Sequence, residues 1–409
     1  MMRRFFLFNP TNEMAIANGQ VSYMPPAHLK QFENDLAALP WLMANENDII
    51  LVPEGKMESL SHLAQYDLKL PRLISGPEDI NNEGINELWP EPWGWSPAVY
   101  RSFKPFNDFI DSSWQTHPFN KWDENHKQLL SRETGYELLK TIKNIKTASP
   151  GDFDLIFLPE APMVIDHEAD LSKILESMAP PAVIKTPFSA SGRGLYRIRN
   201  SQDNPEKSPW VKGMLKRQGK VYIEKMLCKV QDVSFQFMLS EKEINYCGHN
   251  FFYADPSGQF AGCAIGEPVI NSQILADKTV LETAIEQAST LLGRGLKKMN
   301  LSHNYWGPAG VDGIFFKHSD GRLLLQPCLE INLRHNMGMA NIFFKKKLHP
   351  EAIGSWQTGL FQKEEWKKFC HEKKKSMPVI LCDGKIRHGF LPFVSPENPQ
   401  LFGAWLTLK

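Results

Sequence analysis

Gly310-Val311-Asp312-Gly313-Ile314-Phe315-Phe316 and Leu323-Leu324-Leu325-Gln326-Pro327-Cys328-Leu329-Glu330-Ile331-Asn332-Leu333-Arg334 are two apolar runs separated by a polar turn that contains His318-Ser319-Asp320-Gly321. Gly321 can supply the left-handed residue that closes a three-residue loop, so the pattern predicts a β-hairpin. With Ser319 to Gly321 as the loop, His318 pairs with Arg322 and Asp312 falls opposite Cys328. Side chains alternate between faces along a strand, so Glu330 and Asn332 then share the face of Asp312. A two-residue loop would instead turn Asp312 to the other face. Two carboxylates and an amide on one face are ligands for a hard cation such as Mg²⁺, which binds through one or two carboxylates together with substrate phosphates. Taken alone, the hairpin fits equally a strand end bearing solvated charges. The upstream sequence separates the two readings.

Working outward, 409 residues exceed one small core and predict two or three domains. A hydrophobic fraction of 42% with 22% charged residues is that of a globular protein. The 46 basic and 46 acidic residues cancel, so no net field recruits a polyanion and nucleic acid is not expected as a partner. Met1 to Phe8 begins like an export signal, but Asn9-Pro10-Thr11-Asn12-Glu13 cuts the apolar run short. No later segment reads as a membrane span, so a cytoplasmic protein without a membrane partner is expected. Cysteines 228, 247, 263, 328, 370 and 382 show no paired metal-ligand spacing and read as reduced, buried thiols.

Arg4 to Phe8 and Asp48 to Val52 read as buried strands, with a helix around Pro26 to Leu42 between them, which predicts an open α/β domain. The loop Asn9 to Glu13 then sits at a strand's carboxyl end, where such sheets bind ligands, or serves as a turn that caps the next helix. The Trp- and Pro-rich segment from Pro71 to Trp122 is expected to pack against this domain, or to line a substrate pocket. Ser131 reads as a helix N-cap, Asp154 to Leu158 and Ala182 to Lys185 as strands, and Val221 to Ile265 as a strand cluster. Asp277 to Met299 carries Leu281, Ala284, Ile285, Ala288, Leu291 and Leu292 on one helical stripe. Met337 to Lys347 is expected to be helical, and the tail from about Met377 to hold short strands. The segments so marked are 1–125, 126–218, 219–346 and a C-terminal extension, 347–409.

The second informative stretch is Ala182-Val183-Ile184-Lys185-Thr186-Pro187-Phe188-Ser189-Ala190-Ser191-Gly192-Arg193-Gly194. A buried strand delivers a lysine, and small residues follow that let backbone N–H groups approach phosphate oxygens. Neither a Walker loop nor a dinucleotide fingerprint is present, and a protein kinase would place its lysine after the glycine loop. Further on, Val221-Tyr222-Ile223-Glu224-Lys225-Met226-Leu227 ends a strand, and Gln231-Asp232-Val233-Ser234-Phe235 opens the next.

In this order, the strand lysine, the Ser/Gly loop, Glu-x-x-Leu, the acidic residue before Val-Ser-Phe, Asp312 and Glu330-x-Asn332-x-Arg334 resemble the ATP-grasp superfamily, and within it the carboxylate-amine ligases. The resemblance covers about Ser131 to Phe344. It implies a multidomain α+β and α/β chain in which two α+β subdomains clamp ATP behind an open α/β N-terminal domain. It further implies that Lys185 contacts ATP phosphates and that Ser189, Ser191, Gly192, Arg193 and Gly194 belong to a lid over them. Glu224, Lys225, Met226 and Leu227 would form the adenine hinge, and Asp232 would hold the ribose. Asp312, Glu330 and Asn332 would bind Mg²⁺, with Mn²⁺ an alternative, and Arg334 would act with Lys185 on the transferred phosphoryl group. Arg132 stands where the family usually has a second lysine, exchanging a point charge for a fork, and Leu333 stands where proline is common. The activity implied is ATP-dependent activation of a substrate carboxylate as an acyl phosphate for attack by an amine, both small molecules, with a homodimer as the default assembly. A phosphotransferase on the same fold, or an ATP-binding module without catalysis, is the alternative. Specificity is expected from Asn9 to Asn18, the Trp-rich segment and His249 to Phe252; His335, one residue past Arg334, reads first as a structural histidine and alternatively as a substrate contact.

Overall fold

The computed structural model describes residues 2–81, 87–178, 180–189, 192, 194–200, 202–255, 259–266, 278–362, 364–397 and 400–409. Among them, three sheets are laid down in chain order. The first comprises β1 (Arg3–Leu7), β2 (Ile49–Leu51), β3 (Arg72–Ile74) and β4 (Leu88–Pro92), in the order β3-β2-β1-β4 with every pair parallel. A short helix, α1 (Asn12–Asn18), and a second helix, Ala27–Asp35, connect β1 to β2. Alternation along β1 divides two cores. Phe5 packs on one face with Ile49 and Leu88, and Phe6 on the other with Trp41 and Ile50. The tryptophans of the rich segment are mostly core. Trp95 stacks on Trp114 and Phe119 at centroid distances of 5.4 and 5.5 Å, and none of these lines the large cavity described below.

The second sheet comprises β5 (Met163–Ile165), β6 (Ala182–Lys185), β7 (Leu195–Ile198) and β8 (Val221–Lys225), in the order β5-β8-β6-β7. It has a core of its own, in which Ile165, Ile184, Ile198, Val221 and Ile223 pack against helix residues Leu171, Val211 and Leu215. This lobe is preceded by α2 (Glu133–Ala148). Asp154 to Leu158 forms no strand. A single parallel bridge joins Ile156 to Leu325, because the segment runs beside the edge of the third sheet instead of entering the second.

The third sheet has nine strands: β9 (Lys229–Leu239), β10 (Ile244–Ala254), β11 (Phe260–Ile265), β12 (Gly307–Lys317), β13 (Leu323–Asn332), β14 (Gly354–Leu360), β15 (Ile380–Cys382), β16 (Lys385–Pro392) and β17 (Phe402–Leu408). Their order is β13-β12-β9-β10-β11-β14-β17-β16-β15. Residues 347–409 therefore continue the sheet begun in 229–332. Among the helices that pack on it are α3 (Lys278–Lys298) and α4 (Met337–Lys345). The six stripe residues of α3 are all buried, in the core that also holds Phe5, Phe235 and Val311. Cys263, Cys328 and Cys370 are buried as expected and Cys247 is half-buried, whereas Cys228 and Cys382 are exposed; all six are free. No helix among the described residues is long and apolar enough to cross a membrane.

Candidate active site

The β12–β13 hairpin turns as the sequence predicts. His318 N–H donates to Arg322 O at 2.9 Å, and Lys317 pairs with Leu323. Further along, the register changes. Ile314 still pairs with Gln326, but Asp312 lies opposite Glu330 and not Cys328. Three residues of β13, Pro327 to Leu329, face Gly313 alone, a bulge at the proline that cannot donate to the ladder. Two extra residues preserve parity, so Asp312, Glu330 and Asn332 still share a face. Gly313 is required there: a Cβ would lie 2.6 Å from Gln326 O and 3.0 Å from Pro327 O.

On that face the Asp312 carboxylate accepts from Ser234 Oγ at 2.6 Å and from Asn332 Nδ2 at 3.0 Å, while Arg334 Nη2 donates to Asn332 Oδ1 at 3.0 Å. Glu330 Oε2 is 2.7 Å from Arg132 Nη1. Burial, and then the Glu330 carboxylate, push the Asp312 pKa up to about 7. Burial works against the Glu330 carboxylate as well, but Arg132, then Lys185 and Arg334, hold its pKa below the usual value. A pair of cross-strand carboxylates, one of which retains a proton near neutrality, is a donor set that fits a divalent cation.

The second sheet brings up the opposing charges. Lys185, at the end of β6, places Nζ 2.7 Å from Glu224 Oε2, and Glu224 Oε1 accepts from Tyr136 OH at 2.6 Å. Arg132 precedes α2, and Tyr136, four residues on, lies on the same face. Ser131 Oγ accepts the Glu133 N–H at 3.2 Å, but the N-cap position expected for Ser131 falls to Arg132, whose side chain makes no cap bond. Arg132 also donates to Thr186 O at 3.0 Å and to Ser189 Oγ at 3.1 Å, tying the helix to the glycine loop. Gly194 closes the base of that loop, its carbonyl accepting from Thr186 N at 3.0 Å. Ser191 and Arg193 lie outside the described residues. Asp232 pairs with Lys229 at 2.7 Å, and burial raises its pKa despite that lysine.

These groups converge on one cavity of about 880 Å³ between the second and third sheets. Arg132, Lys185, Ser189, Gly192, Glu224, Lys225, Met226, Leu227, Asp232, Asp312, Glu330, Asn332 and Arg334 all line it, and Gly194 does not. His249 to Phe252 is not a loop but part of β10, so only alternate residues, Asn250 and Phe252, reach the cavity. His335 is turned away as well, with Nε2 2.8 Å from Glu91 Oε2 at the end of β4.

Several contributors were not legible in the sequence. Ser234 follows Asp232 by two residues in β9, so strand period alone could have marked it. Tyr136 could have been found from its helical spacing to Arg132. Glu13, whose Oε1 accepts from Arg334 Nε, lies in the loop marked as a ligand-binding segment, but its pairing with Arg334 had no local signal.

No protein-family model and no curated protein matches this chain. Solved structures do. The N5-carboxyaminoimidazole ribonucleotide synthetase from Thermus thermophilus aligns over 100% of this chain and 94% of its own, at a TM-score of 0.50 and 12% identity. An ADP complex of purK, an N5-carboxyaminoimidazole ribonucleotide synthetase, aligns over 100% and 93%, at a TM-score of 0.50 and 12% identity. The chain has the ATP-grasp fold, in agreement with the order of motifs read from its sequence.

Proposed function

We propose that this chain is an ATP- and Mg²⁺-dependent, ADP-forming ligase that activates a small-molecule carboxylate for attack by an amine. The observation that carries this reading is the convergence of Lys185, Arg132 and Arg334 with the Asp312–Glu330 carboxylate pair in one cavity. Phosphoryl transfer asks a protein chiefly for positioning and charge neutralisation, and these side chains supply both. In the first step a substrate carboxylate oxygen attacks the γ-phosphorus, the bond to the bridging oxygen breaks, and ADP leaves. In the second, the amine nitrogen attacks the acyl carbon, the C–O bond to phosphate breaks, and the nitrogen gives up a proton.

In this reading Lys185 and Arg132 hold the phosphates, Arg334 faces the transferred group, and Ser189, Ser191, Gly192, Arg193 and Gly194 cover them. Asp312, Glu330 and Asn332 would hold Mg²⁺, or Mn²⁺ in its place, and the bound ion would neutralise phosphate charge. Glu224 to Leu227 would receive the adenine and Asp232 the ribose. The Met226 N–H already donates to Pro181 O at 2.9 Å, so the purine edge falls to the neighbouring backbone groups of that segment. Residues 126–218 and 219–346 would form the two walls of the nucleotide site, with 1–125 bracing it through Glu13 and Glu91 and 347–409 extending the third sheet.

A melting-temperature assay tests the nucleotide assignment: ATP with Mg²⁺ raises the transition of the wild-type protein, and no shift would sink it. Product analysis tests the chemistry. ADP with a condensed product is expected, whereas a stable phosphorylated product would make the chain a phosphotransferase, and ATP binding without ADP release a non-catalytic module.

A further inference from the structure

Away from the large cavity, at the other edge of the third sheet, the fold brings together His349, Cys382 and Asp383. One donor atom from each lies within 4.8 Å of the other two. Two local features produce this meeting. Cys382 ends β15 and pairs with Lys385 at the start of β16, so Asp383 and Gly384 form a two-residue hairpin loop, with φ of 51° and 71°. Positive φ at both positions is the turn that aspartate or asparagine followed by glycine favours. His349 is carried to that loop by a parallel bridge between Leu348 and Ile386. Its N–H donates to Ile386 O at 2.9 Å, and the Ile386 N–H donates to Lys347 O at 3.3 Å. Cys382 and Asp383 are exposed and His349 is half-buried, so a solute can reach all three side chains. The Cys382 thiol donates to Asp383 Oδ2 at 3.8 Å. The neighbouring Glu351 carboxylate is taken up by Arg387, at 3.0 Å.

We propose that His349, Cys382 and Asp383 form a site for a divalent transition-metal ion of the Zn²⁺ class, held by one imidazole nitrogen, one thiolate and one carboxylate oxygen. Ligand atoms around a tetrahedral Zn²⁺, with bonds of about 2.0–2.3 Å, lie about 3.5 Å apart. The donors therefore close by about 1.3 Å at most, a movement that accessible side chains make by rotation. On binding, the thiol gives up its proton to solvent. A metal bond to the ring displaces the long contact from the Glu351 N–H to His349 Nδ1, 3.3 Å, and that exposed amide turns to water. Three protein ligands leave a fourth position to water. Thiolate and imidazole suit Zn²⁺ and its neighbours, whereas Mg²⁺ takes oxygen, so this edge and the Asp312–Glu330 pair select different ions. The consequence is mechanical. The ion ties the segment that follows α4 to β15, a strand of three exposed residues that is paired on one side alone. None of this rests on the ligase reading.

The probe is Co²⁺, which takes the geometry of Zn²⁺ and gives a charge-transfer band in the near ultraviolet when a thiolate binds it. The full chain, reduced and held in excess Mg²⁺ so that the Asp312–Glu330 pair is occupied, is titrated with Co²⁺. The wild type is expected to develop the band, and added Zn²⁺ to abolish it by competition. Cys382→Ser is expected to remove the band. His349→Asn and Asp383→Asn are expected to weaken Co²⁺ binding by about tenfold or more. Cys228→Ser removes the other exposed thiol, which lines the large cavity, and is expected to leave the band unchanged. The substitutions fall on accessible side chains, and asparagine tolerates the positive φ at position 383, so the fold is expected to survive each of them. The proposal is overturned by a wild type without the band, by a band that persists in Cys382→Ser, or by binding unchanged in His349→Asn or in Asp383→Asn.

Discussion

In the β12–β13 hairpin, Asn332 reaches Asp312 across 20 residues of chain. At the corner where the first sheet meets the same hairpin, Glu13 reaches Arg334 across 321 residues and Glu91 reaches His335 across 244. Both regions bury charge beside one cavity, and they do so differently. The hairpin gathers like charges, two carboxylates, where burial and then the Glu330 charge push the Asp312 pKa up to about 7. The corner gathers matched pairs and leaves neutral walls with two orphan acceptors. Like charges held together in a low-dielectric site are poised for a cation, whereas matched pairs fix geometry. Under the proposed function the hairpin serves the phosphoryl chemistry, while the corner fixes the first sheet against it.

The largest expected effect breaks the hairpin side. Glu330→Gln keeps the side chain's shape and removes its charge, so ADP release is expected to fall by about 10³-fold, with an unchanged circular dichroism spectrum. Near-normal turnover would strip Glu330 of a metal role. Next is Gly313→Ala, whose Cβ would meet the bulged strand at 2.6 Å; it should destabilise the protein by about 2–3 kcal/mol in urea titrations. A variant as stable as the wild type would show that the bulge yields.

Third comes pH. The Asp312 carboxyl titrates near 7 in the fold, and a cation needs it ionised, so Mg²⁺ affinity should rise by about tenfold per pH unit below 7 and level off above. Asp312→Asn should weaken binding and flatten that slope; a slope unchanged in the variant would assign the titration elsewhere.

The corner is expected to respond less, and in stability instead of turnover. Burial opposes ionisation of Glu91, but the hydrogen bond and charge of His335 outweigh it and depress the Glu91 pKa. A depressed carboxylate contributes stability above its unfolded pKa and loses it as pH falls through the folded value. Glu91→Gln should therefore lower stability at neutral pH, and its deficit should shrink in acid melts below about pH 4.5. A deficit independent of pH would mean that packing, not charge, is what Glu91 supplies. The smallest effect is Tyr136→Phe. Loss of its hydrogen bond to Glu224 should weaken ATP binding by about 1 kcal/mol, roughly five- to tenfold, read by calorimetry.

Much of the carboxylate hairpin was legible because its information is local. Alternation put Asp312, Glu330 and Asn332 on one face, and the glycine turn set their direction. The exact partner was not legible: Pro327 forces a bulge of two extra residues, and parity survived it while the pairing of Asp312 with Cys328 did not. Asp154 to Leu158 has the composition of a strand, but only one bridge forms, because a strand needs a partner edge that composition does not supply. His249 to Phe252, expected among the segments that set specificity, lies within β10, so strand period lets only Asn250 and Phe252 of the four reach the cavity.

By itself the sequence determined the order of elements, the stripe of α3, the strand that delivers Lys185 and the shared face of the hairpin, since each depends on periodicity within a few turns or residues of chain. Only the tertiary structure decided that Glu13 would fix Arg334 and that Asn12 and Glu13 would keep unpaired oxygens beside Glu330. Those contacts join segments hundreds of residues apart, and no local preference of the chain encodes which distant partner a buried charge will meet.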